Sequence, residues 1–119
     1  MNESETKEPL DRRGEQRGRK LRAVIVGGGT GCESILQMVQ SDTLGRFRMK
    51  IIGVADLDEN ASGMQLARKS GVELVTTNVQ ELYELPKLDL IIELTGNNEV
   101  RDEIERTRPR HVRLIDHFG

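Results

Sequence analysis

The chain has 119 residues, with 18 Lys and Arg against 20 Asp and Glu, one Cys, no Trp, one Tyr and two Phe. That length holds one domain with one core, and few two-domain enzymes fit into it. The formal charge of −2 argues against an obligate nucleic-acid binder, and the single Cys excludes an internal disulfide and a Cys-rich zinc site. No apolar run approaches the roughly 18 residues that a membrane helix needs, no signal peptide opens the chain, and a reducing cytoplasm is the expected setting.

In chain order, residues 1–20 carry five acidic and six basic side chains, with Leu10 the sole apolar residue after Met1. Such a stretch buries too little surface to offset its ordering entropy and reads as a disordered tail. Its Arg12, Arg13, Arg17, Arg19 and Lys20 are interleaved with acids, as in a solvated linker. Residues 21–119, the folded domain, hold twelve basic and fifteen acidic side chains, a net of −3.

The β-branched run over residues 21–26 predicts a first strand, stopped by Gly27-Gly28-Gly29. Ile35, Leu36, Met38 and Val39 follow at helical spacing, with Thr30 and Glu33 as a capping box. Residues 49–55 are nearly all apolar, as in a strand covered on both faces. Met64, Leu66 and Ala67 predict a second helix that Gly71 stops.

Residues 72–75 read as a third strand. Asn78 with Glu81 begins a short helical segment that Pro86 closes, and residues 88–94 form a fourth strand. Asn98 is the expected cap of a helix over residues 99–107 with Val100 and Ile104 as its buried stripe, and residues 112–115 make a fifth strand. Strands alternating with helices at this rhythm predict an α/β fold: a Rossmann-like open parallel sheet of about five strands, helices on both faces, three layers.

Gly27, Gly28, Gly29, Thr30, Gly31 and Cys32 occupy the turn from the first strand into its helix, where a dinucleotide fingerprint needs glycine. Gly27 would permit the tight turn, and Gly29 would let a phosphate approach the helix N-terminus. Cys32 stands at the third fingerprint position, and Glu33 in the first turn would repel a phosphate. A turn that merely allows a sharp bend is the other reading. Asp56, with Leu57 beside it, lies 24 residues past Cys32, near the place of the acid that bonds a ribose 2′-hydroxyl. Asp58 and Glu59 nearby, with no Arg beside them, favour NAD over NADP; capping of the following loop is the alternative role for Asp56.

Thr95, Gly96 and Asn97 follow the fourth strand, where open parallel sheets bind ligands beyond the strand ends, and a plain turn into the next helix is the other reading. Cys32 reads as a small packing residue in preference to a reactive thiol. His111 and His117 sit in no recognised ligand spacing, so no metal is expected.

These residues carry a resemblance. Val24 to Gly29, Val54-Ala55-Asp56 and the run from Asp89 to Asn97 resemble the nucleotide-binding half of the glucose-fructose oxidoreductase and inositol dehydrogenase superfamily, a layout shared with aspartate and homoserine dehydrogenases. Gly53 to Asp58 and Val112 to His117 are similar to the Rossmann-type N-terminal domain found ahead of PAS and histidine-kinase modules in some bacterial sensor proteins. The glycine triplet with Thr30-Gly31 also looks like the turn of phospholactate-transferase-like proteins and the gluconeogenesis factor.

The sensor resemblance implies a nucleotide-binding regulatory or sensory module of a bacterial signalling protein, with no catalytic residues of its own and with downstream signalling or catalytic domains as partners. The dehydrogenase resemblance implies the N-terminal domain of an NAD-dependent oxidoreductase lacking its substrate domain, with His117 as the one candidate acid/base. A ligand-free dimerisation scaffold is the third reading. An exposed sheet edge or helix face leaves homodimerisation open.

Overall fold

A computed structural model describes residues 19–116. Five strands run β1 Leu21–Val26, β2 Met49–Ala55, β3 Leu74–Thr76, β4 Leu90–Glu93 and β5 Arg113–Ile115. Between them lie α1 Thr30–Gln40, α2 Ser62–Lys69, α3 Val79–Leu82 and α4 Asn98–Thr107. All strand pairs are parallel and the sheet order is β3-β2-β1-β4-β5. The chain thus winds outward from β1 in one direction, returns, and winds outward in the other. The order reverses between β1 and β4, which leaves a crevice beyond their carboxyl ends.

Alternation along the strands divides the core in two. Ala23, Ile25, Val54 and Ile92 face one side, where α1 and α2 deliver Cys32, Leu36, Met64 and Ala67. Val24, Val26, Ile52 and Ile91 face the other, under Leu82 of α3 and Ile104 of α4. A register shift between Ala23 and Val24 sets Gly53 opposite Val24. A Cβ on Gly53 would lie 2.7 Å from Leu82 and 2.9 Å from Leu85, so the missing side chain seats α3 on the sheet. Val100 and Ile104 form the buried stripe of α4 as expected. Met38 of α1, expected in the apolar stripe, is instead 47% exposed.

Element ends differ from the sequence expectation in ways that local hydrogen bonds explain. Gly71, at φ +78, ends α2: its N–H donates to Arg68 O at 3.2 Å and that of Val72 to Ala67 O at 3.1 Å. This Schellman closure draws Val72 into the helix terminus, and β3 begins at Leu74. Thr30 is not the cap of α1; Gly29 is, with no side-chain cap, and Thr30 is the first helical residue. Asn97, not Asn98, caps α4, its Oδ1 accepting from Glu99 N–H at 2.8 Å and Val100 N–H at 3.3 Å. Asn78 caps α3 through Gln80 N–H as expected, while Glu81 accepts from Thr76 Oγ1 instead of closing a capping box.

The tail expected over residues 1–20 falls, except for its last two residues, outside the described residues, and so does His117. Arg19 is already engaged: its guanidinium donates to Asp89 Oδ1 at 2.7 Å, and Arg22 N–H donates to Asp89 Oδ2 at 2.8 Å. Desolvation pushes the Asp89 carboxyl up, but these donors outweigh it and hold the group below its ordinary range. No helix among the described residues is long and apolar enough to cross a membrane.

Candidate nucleotide cleft

The turn after β1 is built by close approach. Gly27 adopts φ +112, and a Cβ there would lie 3.0 Å from Leu94 C and 3.1 Å from Thr95 N. Its N–H donates to Ala55 O at 2.8 Å, tying the turn to the end of β2. Gly28 is closed in as tightly, since a Cβ would meet Met64 Cγ at 2.6 Å and Asp56 Cβ at 3.1 Å. Its N–H donates to Asp56 Oδ2 at 2.5 Å, and its carbonyl accepts from Gly63 N–H at 2.7 Å. Gly29 differs: nothing lies within 4 Å of where its Cβ would be. Packing explains the first two glycines and leaves the third facing open space.

An open cleft of about 620 Å³ lies at this point. Gly27, Gly29, Asp56, Leu57, Thr95 and Asn97 line it, six of the residues singled out from the sequence. Gly28, Thr30, Gly31, Cys32 and Gly96 do not. Thr30 and Gly31 are exposed in the first turn of α1, next to the cleft-lining Gly29. The first intrahelical bond of α1 runs from Glu33 N–H to Gly29 O at 3.1 Å, so the amides of Thr30, Gly31 and Cys32 precede it.

Further lining not visible as a site in the sequence comes from Thr77 and Val79 beside β3, and from Val100, Glu103 and Ile104 on one face of α4. Asp56, Glu99 and Glu103 line the cleft, and among the described residues no Lys or Arg does, although Glu103 is ion-paired with Arg106 just outside it. Leu57 is 89% exposed over its mouth.

Asp56 is partly committed. Besides Gly28 N–H it accepts from Asp58 N–H through Oδ1 at 2.8 Å, so it shapes the turn that leads toward α2. A carboxylate offers about four lone-pair sites, and these two amides leave acceptor capacity for a hydroxyl. Asn97 spends its side-chain oxygen on the α4 cap.

Thr95 is held from below by Glu93, the only fully buried charged side chain among the described residues. Glu93 Oε2 accepts from Thr95 N–H at 2.8 Å and from its hydroxyl. A carboxylate ending an apolar run just before a glycine loop is its signal in the sequence. Among the described residues, no group of three or more His, Cys, Asp or Glu is placed to hold a metal ion.

Cys32 is fully buried and packs against α2, not the cleft. A Cβ on Gly63 would come within 2.8 Å of both Cys32 Cβ and Sγ, so the Cys32 side chain fits against α2 because that helix carries none at position 63. Burial, then the Asp56 and Glu33 carboxylates, push the Cys32 thiol up to about 11.

Two results are expected. Near neutral pH the native thiol should resist a disulfide reagent and react only as denaturant opens the fold; rapid native labelling would contradict the packing. The folded state keeps this proton up to about 11 while an ordinary thiol loses it near 9.0, so the stabilisation is intact below 9.0 and is lost as pH rises through that window. Chemical denaturation of the wild type should show a steeper alkaline decline than Cys32→Ala, and equal slopes would refute the assignment.

No protein-family model matches the chain, and no match is found among curated proteins.

Proposed function

We propose that this domain binds an adenine dinucleotide, NAD, and serves as a regulatory or sensory module that contributes binding and no chemistry of its own to a bacterial signalling protein. The observation that carries this reading is Gly29: the turn omits a side chain where no protein atom requires the omission. An approaching phosphate is a reason to keep that space clear, and the leading amides of α1 are the donors it would meet. Asp56 has remaining acceptor capacity for a ribose hydroxyl at the end of β2. The apolar part of the cleft, with Leu57, Val79, Val100 and Ile104, suits a flat base.

Asp56 and Glu99, with no Lys or Arg among the described lining residues, disfavour a third phosphate, so NAD is the expected ligand over NADP. Calorimetric titration should show NAD binding, with NADP weaker by about tenfold or more, a difference of about 1.4 kcal/mol. Absence of heat with NAD at millimolar concentration would overturn the reading in favour of a ligand-free scaffold.

A further inference from the structure

The opposite end of the sheet holds a second concavity. A groove of about 800 Å³ runs past the start of β1 and along β5, away from the glycine turn. Its apolar lining includes Leu21, Leu90 and Ile115, and the first and last of these are 41% and 46% exposed. Leu90 pairs with Arg113 and Ile92 with Ile115 across β4 and β5, so Arg113 and Ile115 stand on the same sheet face as Leu90.

The charges along this groove are unevenly satisfied. Arg108 is paired with Glu105 at 3.0 Å and also donates to Val112 O, and Asp89 is held by Arg19 and the Arg22 amide. Arg110, His111 and Arg113 line the groove with exposed side chains that form no hydrogen bond or ion pair among the described residues. Glu105, whose carboxyl feels the Arg110 charge, is already bound by Arg108. Two guanidiniums and an imidazole therefore rim an apolar floor on a chain whose overall charge is −2.

The geometry points to a docking groove for an acidic peptide of a partner protein, one that lays apolar side chains along the floor between Leu21 and Ile115 and sets carboxylates against Arg110 and Arg113. Charge complementarity selects the occupant. Guanidiniums bind carboxylates through paired N–H donors, and the apolar floor favours a peptide over a sugar-phosphate backbone. A long polyanion would also run onto the net-negative remainder of the surface, whereas a short peptide meets only the groove. This site is independent of the nucleotide cleft.

The test is fluorescence anisotropy of the full chain with a labelled peptide of sequence Glu-Glu-Leu-Asp-Leu-Glu, and with a Lys-for-acid version as control. The acidic peptide should bind, and raising NaCl from about 50 mM to about 300 mM should weaken it. Arg110→Glu with Arg113→Glu should weaken it at least about tenfold, since two attractions become repulsions, while the melting temperature and any NAD binding stay unchanged. Should that variant melt early, R110Q/R113Q removes the same charges with less disturbance.

Equal affinity in wild type and variant, or equal binding of the basic control, would overturn the proposal. So would an oligonucleotide that outcompetes the peptide, or a dimer that the charge reversal dissolves, which would give the groove to a second copy.

Discussion

Gly29→Val is expected to cut NAD affinity about a hundredfold while leaving the protein folded. The backbone there has a negative φ, −86, and no atom lies within 4 Å of the new Cβ. The cost to the fold is that of a poorer helix cap, about 1 kcal/mol or less. The cost to the ligand is greater. Valine methyls would fill the volume a phosphate must enter to reach the first amides of α1, and each lost bond to a charged group is worth about 1.5–3 kcal/mol. Two such bonds exceed a hundredfold.

Calorimetry with circular dichroism on the same sample separates the two effects. A folded variant that binds NAD as well as the wild type would remove the glycine turn from the site. Asp56→Ala is a poorer probe, because it also frees the amides of Gly28 and Asp58 and loosens the turn itself.

Gly63→Ala is expected to destabilise the fold by about 1–3 kcal/mol, the range for overpacking a closed contact. The added Cβ would stand 2.7 Å from Gly28 O and 2.8 Å from Cys32 Sγ. The first neighbour is backbone at the turn and cannot yield without moving Gly28, whose amide is bonded to Asp56. The second is a side chain, so Cys32→Gly in the same molecule should recover part of the loss. A double-mutant cycle by urea denaturation should give a coupling of about 1 kcal/mol in favour of the pair. Strict additivity would show that the two helices do not compete for this volume, and a fully stable Gly63→Ala would show that α2 lies further away.

β1 and β2 were legible to the residue because each is an apolar, β-branched run closed by an abrupt change: glycines after Val26 and acids after Ala55. β3 was displaced because Val72, apolar in sequence, completes the α2 terminus instead of pairing. The two displaced helix caps share a cause. Thr30 and Asn98 have capping side chains, but the turn geometry places Gly29 and Asn97 at the boundary, and only the chain path decides which neighbour that is.

One wall of the cleft was readable, since the glycine turn and Asp56 are local features of a βαβ unit. The other wall was not. Thr77 and Val79 meet that turn because β3 lies beside β2, and Val100 and Ile104 because β4 lies beside β1 and α4 packs over the sheet on the side of Val26. Gly63 was overlooked for the same reason, its role being to accommodate a side chain from another helix.

The sheet is open, yet its two edges, β3 and β5, are three residues long each. Fibril-forming stacks recruit segments of about six residues with unpaired backbone on both sides. An edge this short exposes few free amides and carbonyls, and β5 begins with the charged Arg113, a further deterrent to strand recruitment. The domain is thereby suited to remain dispersed at the high concentrations that weak-ligand titrations demand, because growth by edge-to-edge addition has almost nothing to template it.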